Sequence, residues 1–425
     1  MVRTSNNLHI HILTGLVLGT IGGVFANWFW SGHAWLEFSI TYVAEPVGKV
    51  FLRFLLMVVV PLVFTTVVLG IAGLGDMHRL GRIGVKTLLL FFATTIVAAT
   101  AGLTMANWIE AGAAITELMR VDLLASFSSQ TTSTLEAASQ GITVDTLVNI
   151  VPRNPVEAAA NGDLIAFILF TIVFGIALSR VPPERSKPVR DFLTGVGEAV
   201  TVIIGYAMRF APIGVAGLAF AVTARLGLDV LRPLGLYTGL VIFGLAVHQF
   251  GVVGPIIKAF VDLSPRRFFA AIRLPMITAF STASSSATLP TTVRAAEDKL
   301  GISETVAGFV LPLGATLHMN GTAMFGAITV VFLAQAFGLG LTLSSQILIV
   351  FLMVLSAVSA AGIPSGSIPL IVVILESVGI PGEAIALIFG VEPILGMART
   401  STNVTGDLAI CAVIAQNEAL EDESQ

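Results

Sequence analysis

Between Lys299 and the C-terminus the only lysine or arginine is Arg399, and it sits inside an apolar stretch, IALIFGVEPILGMARTSTNVTGDLAICAVIA. As a helix this stretch is long enough to cross a bilayer. A guanidinium cannot shed its proton, so at membrane depth it must face water, protein or an anion. Helical spacing puts Thr400, Asn403 and Asp407 on or near the face of Arg399, with Gly396 a turn behind. Asp407 lies about 12 Å further along the axis, too far for a direct pair. The helix thus offers a cationic point and, separately, an anionic one. A protein that moves an anion together with a cation needs both.

The composition fixes the solvent. Hydrophobic residues make up 55% of the chain and charged residues 11%, and the mean hydropathy is +0.93. These values belong to a multi-spanning membrane protein. The net charge of -4 says little about partners, and the acidic end EALEDESQ reads as a solvated tail. The lone Cys411 excludes an internal disulfide framework and a cysteine metal site. No basic patch suggests nucleic acid, and no ligand cluster suggests a metalloenzyme. The polar start MVRTSNN, with no cleavage site after a compact apolar core, predicts a retained first helix rather than a signal peptide.

The pattern predicts an all-α integral membrane protein of eight transmembrane helices plus two re-entrant helical hairpins. Spans fall near 8–30, 45–74, 84–108, 164–181, 192–222, 234–259, 305–337 and 383–416. A Ser/Thr/Ala-rich stretch at 110–162 is too polar to span as one helix and reads as short broken helices or an external loop. No physical argument explains its length.

Positive charges set the orientation. The junctions with Arg79, Arg82 and Lys86, with Arg180, Arg185, Lys187 and Arg190, and with Lys258, Arg266 and Arg267 belong in the cytoplasm, together with both termini. Arg294 and Lys299 also belong inside, so 268–293 must enter and return from that face; by the same logic 345–378 enters from outside. Each has a turn-forming tip, STASSSATLP (281–290) and SAAGIPSGSIP (359–369). Two such hairpins from opposite faces indicate an inverted repeat with a site near the midplane.

Other readings of these residues compete. Ser and Gly are common at close helix contacts in membranes, and a single such tip is as readily packing as binding. The Ser284–Ser286 triplet as a nucleophile lacks a placed base and a Gly-X-Ser-X-Gly turn. An anion channel is the more serious rival; its flux saturates weakly and cannot run uphill. Free amides at hairpin tips bind carboxylates, and free carbonyls bind small cations.

Four motifs together resemble the sodium:dicarboxylate symporters, the family that includes the glutamate and aspartate transporters and C4-dicarboxylate carriers. They are ASSSATLP (283–290), LPLGATLHMNGTA (311–323), AAGIPSGSIPL (360–370) and ARTSTNVTGD (398–407), and the resemblance covers nearly the whole chain. It implies a homotrimer of independently working subunits in the cell (inner) membrane. It also implies a scaffold from residues 1–82 and 110–232 and a transport unit from 83–109 and 233–425, moving like an elevator.

The resemblance also implies roles. Arg399 matches the arginine that holds the substrate's side-chain carboxylate, and a planar fork suits a carboxylate. Thr322 matches a hydroxyl at the same group. Ser285 and Asn403 match donors to the other carboxylate, with Ser286, Thr400, Ile363 and Ser367 completing the lining. For Thr322 and Ser285 the competing reading is a hydroxyl bonded back to its own helix. For Arg399 it is an ion pair with Glu392, about 10 Å away along the axis and on that ground given less weight.

Departures from the family pattern carry more. Amino-acid carriers of the family place an Asp at the position of Gly396 to bind the substrate's ammonium. Burying an ammonium with no anionic partner costs several kcal/mol, so the glycine favours a diacid without an amino group. A second arginine found in many relatives is replaced by Ala283 or Ala398.

The expected cations are sodium ions, with no organic cofactor. Asp407 matches one site, completed by carbonyls of Gly314, His318 and Asn403; oxygen-only ligation suits a hard cation. A second site uses carbonyls near Thr316 and at Ala357, Val358 and Ala360. A third, from Thr94, Thr95 and Asn320, lacks its usual Asp, which weakens Na+ there and predicts fewer coupled ions. His318 stands where the family has Asn. It reads either as a proton carrier or as a neutral, hydrogen-bonded residue. A His318→Asn variant with unchanged pH dependence of uptake removes the first.

Overall fold

The computed structural model describes residues 8–73, 81–117, 119–121, 148, 151–161, 164–359, 362 and 366–424. Much of the polar stretch 110–162, and Ala360 and Ile363 of the second tip, lie outside the described residues. Among the described residues every regular element is helical.

The first half is a cluster of apolar helices. Helix α1 (Leu8–Trp30) is followed by α2 (Ala34–Ser39), a π turn (Ile40–Ala44), α3 (Glu45–Leu56) and α4 (Val59–Gly73). The span expected at 45–74 is interrupted at Met57–Val58. Pro61, two residues into α4, has no N–H to give the Met57 carbonyl, and the ladder opens there. After α5 (Gly81–Ile109) and α6 (Pro155–Ala160) come α7 (Leu164–Ser179) and α8 (Pro183–Leu226). Helix α8 is 44 residues long, far beyond the expected 192–222, and ends at Gly227 with φ 67. Only a glycine takes that turn without strain.

Helices α1 and α8 share the most extensive helix–helix contact, and α8 also packs on α3 and α4. Small residues make the seam. A Cβ at Gly15 would run into the Pro212 carbonyl, one at Gly19 into the Ala216 carbonyl, and one at Gly23 into Thr223. Glycines four apart let two backbones touch, which drives association where no water is displaced. At the α1–α2 corner Trp28, Trp30, Trp35 and Tyr42 are exposed, a group of amphipathic rings suited to the membrane–water boundary.

The second half wraps one helix. It comprises α9 (Leu231–Ala246), a π turn (Val247–Val252), α10 (Val253–Phe260), α11 (Pro265–Ala271), α12 (Arg273–Thr282) and α13 (Ser285–Leu300). Then follow α14 (Glu304–Leu317), α15 (Asn320–Ala336), α16 (Leu343–Ser359), α17 (Ile368–Ser377), α18 (Ala386–Phe389) and α19 (Glu392–Ser424). Local chemistry sets these ends. Ser264 accepts from the Arg267 N–H and Ser303 from the Val306 N–H as N-caps. Gly301 in the left-handed region (φ 68) closes α13. The stretch expected at 305–337 splits at His318–Met319, both outside the helical region. The last span bends by 91° between Phe389 and Glu392. Helix α19 packs against α12, α13, α14 and α15, while α5 lies along α15 and α16. These contacts, not sequence proximity, assemble the site.

Candidate functional site

The first tip is a two-residue connection between α12 and α13. Ala283 sits at φ 48, in the left-handed region that costs a residue with a Cβ about 1–2 kcal/mol. Ser284 is the N-cap of α13, accepting from the Ala287 N–H at 3.2 Å. Its hydroxyl also donates to the Gly362 carbonyl at 2.6 Å, and the Ser286 N–H donates to the same oxygen at 3.1 Å. The two predicted tips therefore meet. A Cβ at Gly362 would lie 2.7 Å from both the Ala315 carbonyl and Ser286 Oγ, so only glycine fits the junction. Ser285 is buried at the start of α13.

Arg399 is buried one turn above Gly396. Its Nη1 donates to Ser367 Oγ at 2.8 Å, its Nη2 to Glu392 Oε1 at 3.3 Å, and its guanidinium lies 4.9 Å from the Phe325 ring centre. The ion pair set aside on axial distance is present. Helical side chains lean toward the N-terminus, so the long Arg399 reaches back while Glu392 extends to meet it. Gly396 lies between them without a side chain: a Cβ there would sit 3.3 Å from Glu392 Oε1 and 3.6 Å from Arg399 Nη2. A carboxylate thus stands beside the position where the reading from sequence found none.

Asn403 ties α19 to the helix break. Its Oδ1 accepts from the N–H groups of Gly321 and Thr322, at 2.8 and 3.3 Å, satisfying donors freed at the start of α15. Its Nδ2 donates to Thr322 Oγ1 at 3.2 Å. Two residues expected at opposite substrate carboxylates are bonded partners here. Thr400 donates back to the Gly396 carbonyl of its own helix.

Further along α19, Asp407 is buried with its Oδ1 2.8 Å from His318 Nδ1. A Cβ at Gly314 would lie 2.7 Å from that oxygen, so the α14 backbone abuts the carboxylate. His318 Nε2 lies 2.8 Å from Thr94 Oγ1, and Thr95 donates to Asn320 Oδ1 at 2.8 Å. The residues expected at the first and third cation sites are therefore contiguous. Of the second, Thr316 turns its hydroxyl back onto its own helix and Ala357 is buried at the end of α16, next to Val358.

Sequence reasoning missed three participants. Ser284 had entered only as a rejected nucleophile; its position just before the helix was the available signal for a cap. Gly362 was buried in a motif. Phe325 carried no signal at all.

A buried guanidinium beside a bend, two touching tips and a separate buried carboxylate fit an anion site next to a cation site. The comparisons with known proteins place the chain among symporters. The sequence model of the sodium:dicarboxylate symporter family matches residues 8–417. The "Proton/glutamate-aspartate symporter" of Escherichia coli (strain K12) is 34% identical over 409 residues, 96% of this chain and 92% of that protein. The "Proton/sodium-glutamate symport protein" of Bacillus subtilis (strain 168) is 33% identical over 99% of this chain and 95% of its own. The "C4-dicarboxylate transport protein" of Anaeromyxobacter sp. (strain K) is 31% identical over 100% of this chain and 93% of its own. This chain belongs to the sodium:dicarboxylate symporter family and is a membrane transporter rather than an enzyme.

Proposed function

We propose that the protein imports an acidic dicarboxylate, with succinate, fumarate or malate favoured over amino acids, driven by a Na+ gradient. It works as a homotrimer in the cell (inner) membrane with both termini cytoplasmic. The unit formed by α5 and residues 233–425 carries the two hairpins and the site across, like an elevator against a scaffold of the remaining helices. In this reading Arg399 takes one substrate carboxylate in its planar fork, helped by Thr322. Asn403, Ser285 and the amides of the two tips take the other. Asp407 and the carbonyls near Gly314 and Thr316 bind the driving ions.

The observation that carries the diacid reading is Gly396. It offers an ammonium no side chain, and the nearest carboxylate, that of Glu392, is already held by Arg399 at 3.3 Å. A second reading, an aspartate or glutamate carrier, is favoured by that same carboxylate. A substrate that took Arg399 with its side-chain carboxylate would release Glu392 to meet its ammonium. Charge balance separates the two: a diacid must share the single positive charge of Arg399 with Glu392, whereas an amino acid brings its own positive charge.

The test is uptake of labelled succinate into proteoliposomes under an inward Na+ gradient, with unlabelled aspartate as competitor. Accumulation that aspartate does not block supports the diacid reading. Block by aspartate that disappears in Glu392→Gln supports the second. Flux that never runs uphill would reduce the protein to an anion channel.

A further inference from the structure

A buried polar cluster among the described residues has an imidazole ring at its centre. Five polar side chains from three stretches converge there: Thr94 and Thr95 on α5, His318 and Asn320 flanking the break before α15, and Asp407 on α19. His318 is 0% exposed and Asp407 2%. One imidazole nitrogen lies 2.8 Å from Asp407 Oδ1 and the other 2.8 Å from Thr94 Oγ1. Thr95 and Asn320 bond directly, also at 2.8 Å.

The ring is built into place. Phe91, a turn before Thr95, stacks on it with centres 4.2 Å apart and planes 9° from parallel. Gly406 makes room on the other side, since a Cβ there would lie 3.1 Å from His318 Cε1 and 3.3 Å from Asn320 Nδ2. Thr94 and Thr95 also donate to carbonyls of the preceding turn, at Leu90 and Phe91. Each of these hydroxyl and amide oxygens therefore has a protein partner.

A hard cation needs several oxygens converging on a space of its own size. Imidazole nitrogen belongs to the ligand set of softer ions. Here the space between Thr94 and Asp407 Oδ1 holds the ring, and Thr95 Oγ1 and Asn320 Oδ1 are bonded to each other. We infer that the His318 side chain stands in for one cation: it fills the position framed by Thr94, Thr95, Asn320 and Asp407. Each cycle accordingly carries one Na+ fewer than these groups would hold around an asparagine. The inference rests on the cation-driven reading above and assigns to one side chain the setting of the coupling ratio. The peptide carbonyl of His318 is untouched by it, so the site that Asp407 forms with backbone oxygens is a separate matter.

The decisive experiment counts sodium rather than transport. Titration of the purified protein with radiolabelled Na+ is expected to give at most two ions per protomer in the wild type. The variant His318→Asn/Asn320→Asp, which replaces the ring and supplies an anionic oxygen, is expected to bind one more, whereas Asn320→Asp alone, which keeps the ring, is expected to bind no more than the wild type. The double variant's ratio of Na+ to succinate, read from the gradient at which net flux stops, rises by one. Three ions in the wild type, equal counts in wild type and double variant, or an extra ion in Asn320→Asp alone would overturn the proposal. The wild-type count decides even if the double variant does not fold. A wild type that binds sodium but never accumulates succinate would instead fail the proposed function, so the two failures are separable.

Discussion

Two points along α19 solve the same problem in different ways. Near its N-terminus a buried guanidinium is met by Glu392, seven residues back on the same helix. Halfway along, a buried carboxylate is met by His318, brought from a break between two other helices. The first pair is internal to one element, so it travels with the helix whatever the neighbours do. The second exists only while α5, the break and α19 are packed together. Under the proposed function, the local pair would give a substrate a charge to compete for, and the tertiary pair would make ion chemistry depend on assembly.

The comparison breaks most readily at Arg399. Arg399→Ala should abolish uptake and take the guanidinium away from the buried Glu392 carboxylate, at a cost of at most ~3–5 kcal/mol. Thermal unfolding should register that loss, and Arg399→Ala/Glu392→Ala should recover most of the stability but none of the transport. If the double variant is no more stable than the single one, the pair is not the local unit described here.

Gly396→Asp should be next in size. Its carboxylate would crowd Glu392 Oε1, within 3.3 Å of the new Cβ, and offer an ammonium a partner. Succinate uptake should fall by roughly tenfold or more, on the scale of one unfavourable close charge, while competition by aspartate rises. Unchanged selectivity would show that position 396 does not read the substrate.

Phe91→Ala probes the tertiary pair. Removing a buried ring of this size costs ~3–5 kcal/mol at most, and because Phe91 stacks on His318 the ring loses its orientation. The expected signature is an altered Na+ dependence at unchanged apparent succinate affinity, read from uptake at varied Na+. Ser284→Ala should have the smallest effect. Losing one cap and one link between tips costs about 1–2 kcal/mol, seen as a several-fold rise in the succinate concentration for half-maximal uptake.

The legible part of this molecule was the part written in charge and turn chemistry. Arg399 and Asp407 stand out because ionised groups are costly in an apolar stretch, and the two Ser/Gly/Pro tips because their residues break helices. Three features escaped for physical reasons. The Arg399–Glu392 pair was discounted on axial rise, which ignores how far two long side chains lean along a glycine. The interruption at Met57–Val58 follows from Pro61, but the apolar pattern runs through it without a change. His318 was visible as a substitution, yet its partners lie 224 and 89 residues away, and no periodicity encodes such a meeting.

The glycine seam between α1 and α8 carries a mechanical consequence. Its contacts recur every four residues, so the two helices mesh like a rack with teeth about 6 Å apart. A slip by a fraction of a tooth would drive backbone into backbone at Gly15 and Gly19, with no pliable side chain there to absorb it. Such a joint is either fully engaged or displaced by a whole notch. Any gliding this protein performs must therefore take place along surfaces other than this one.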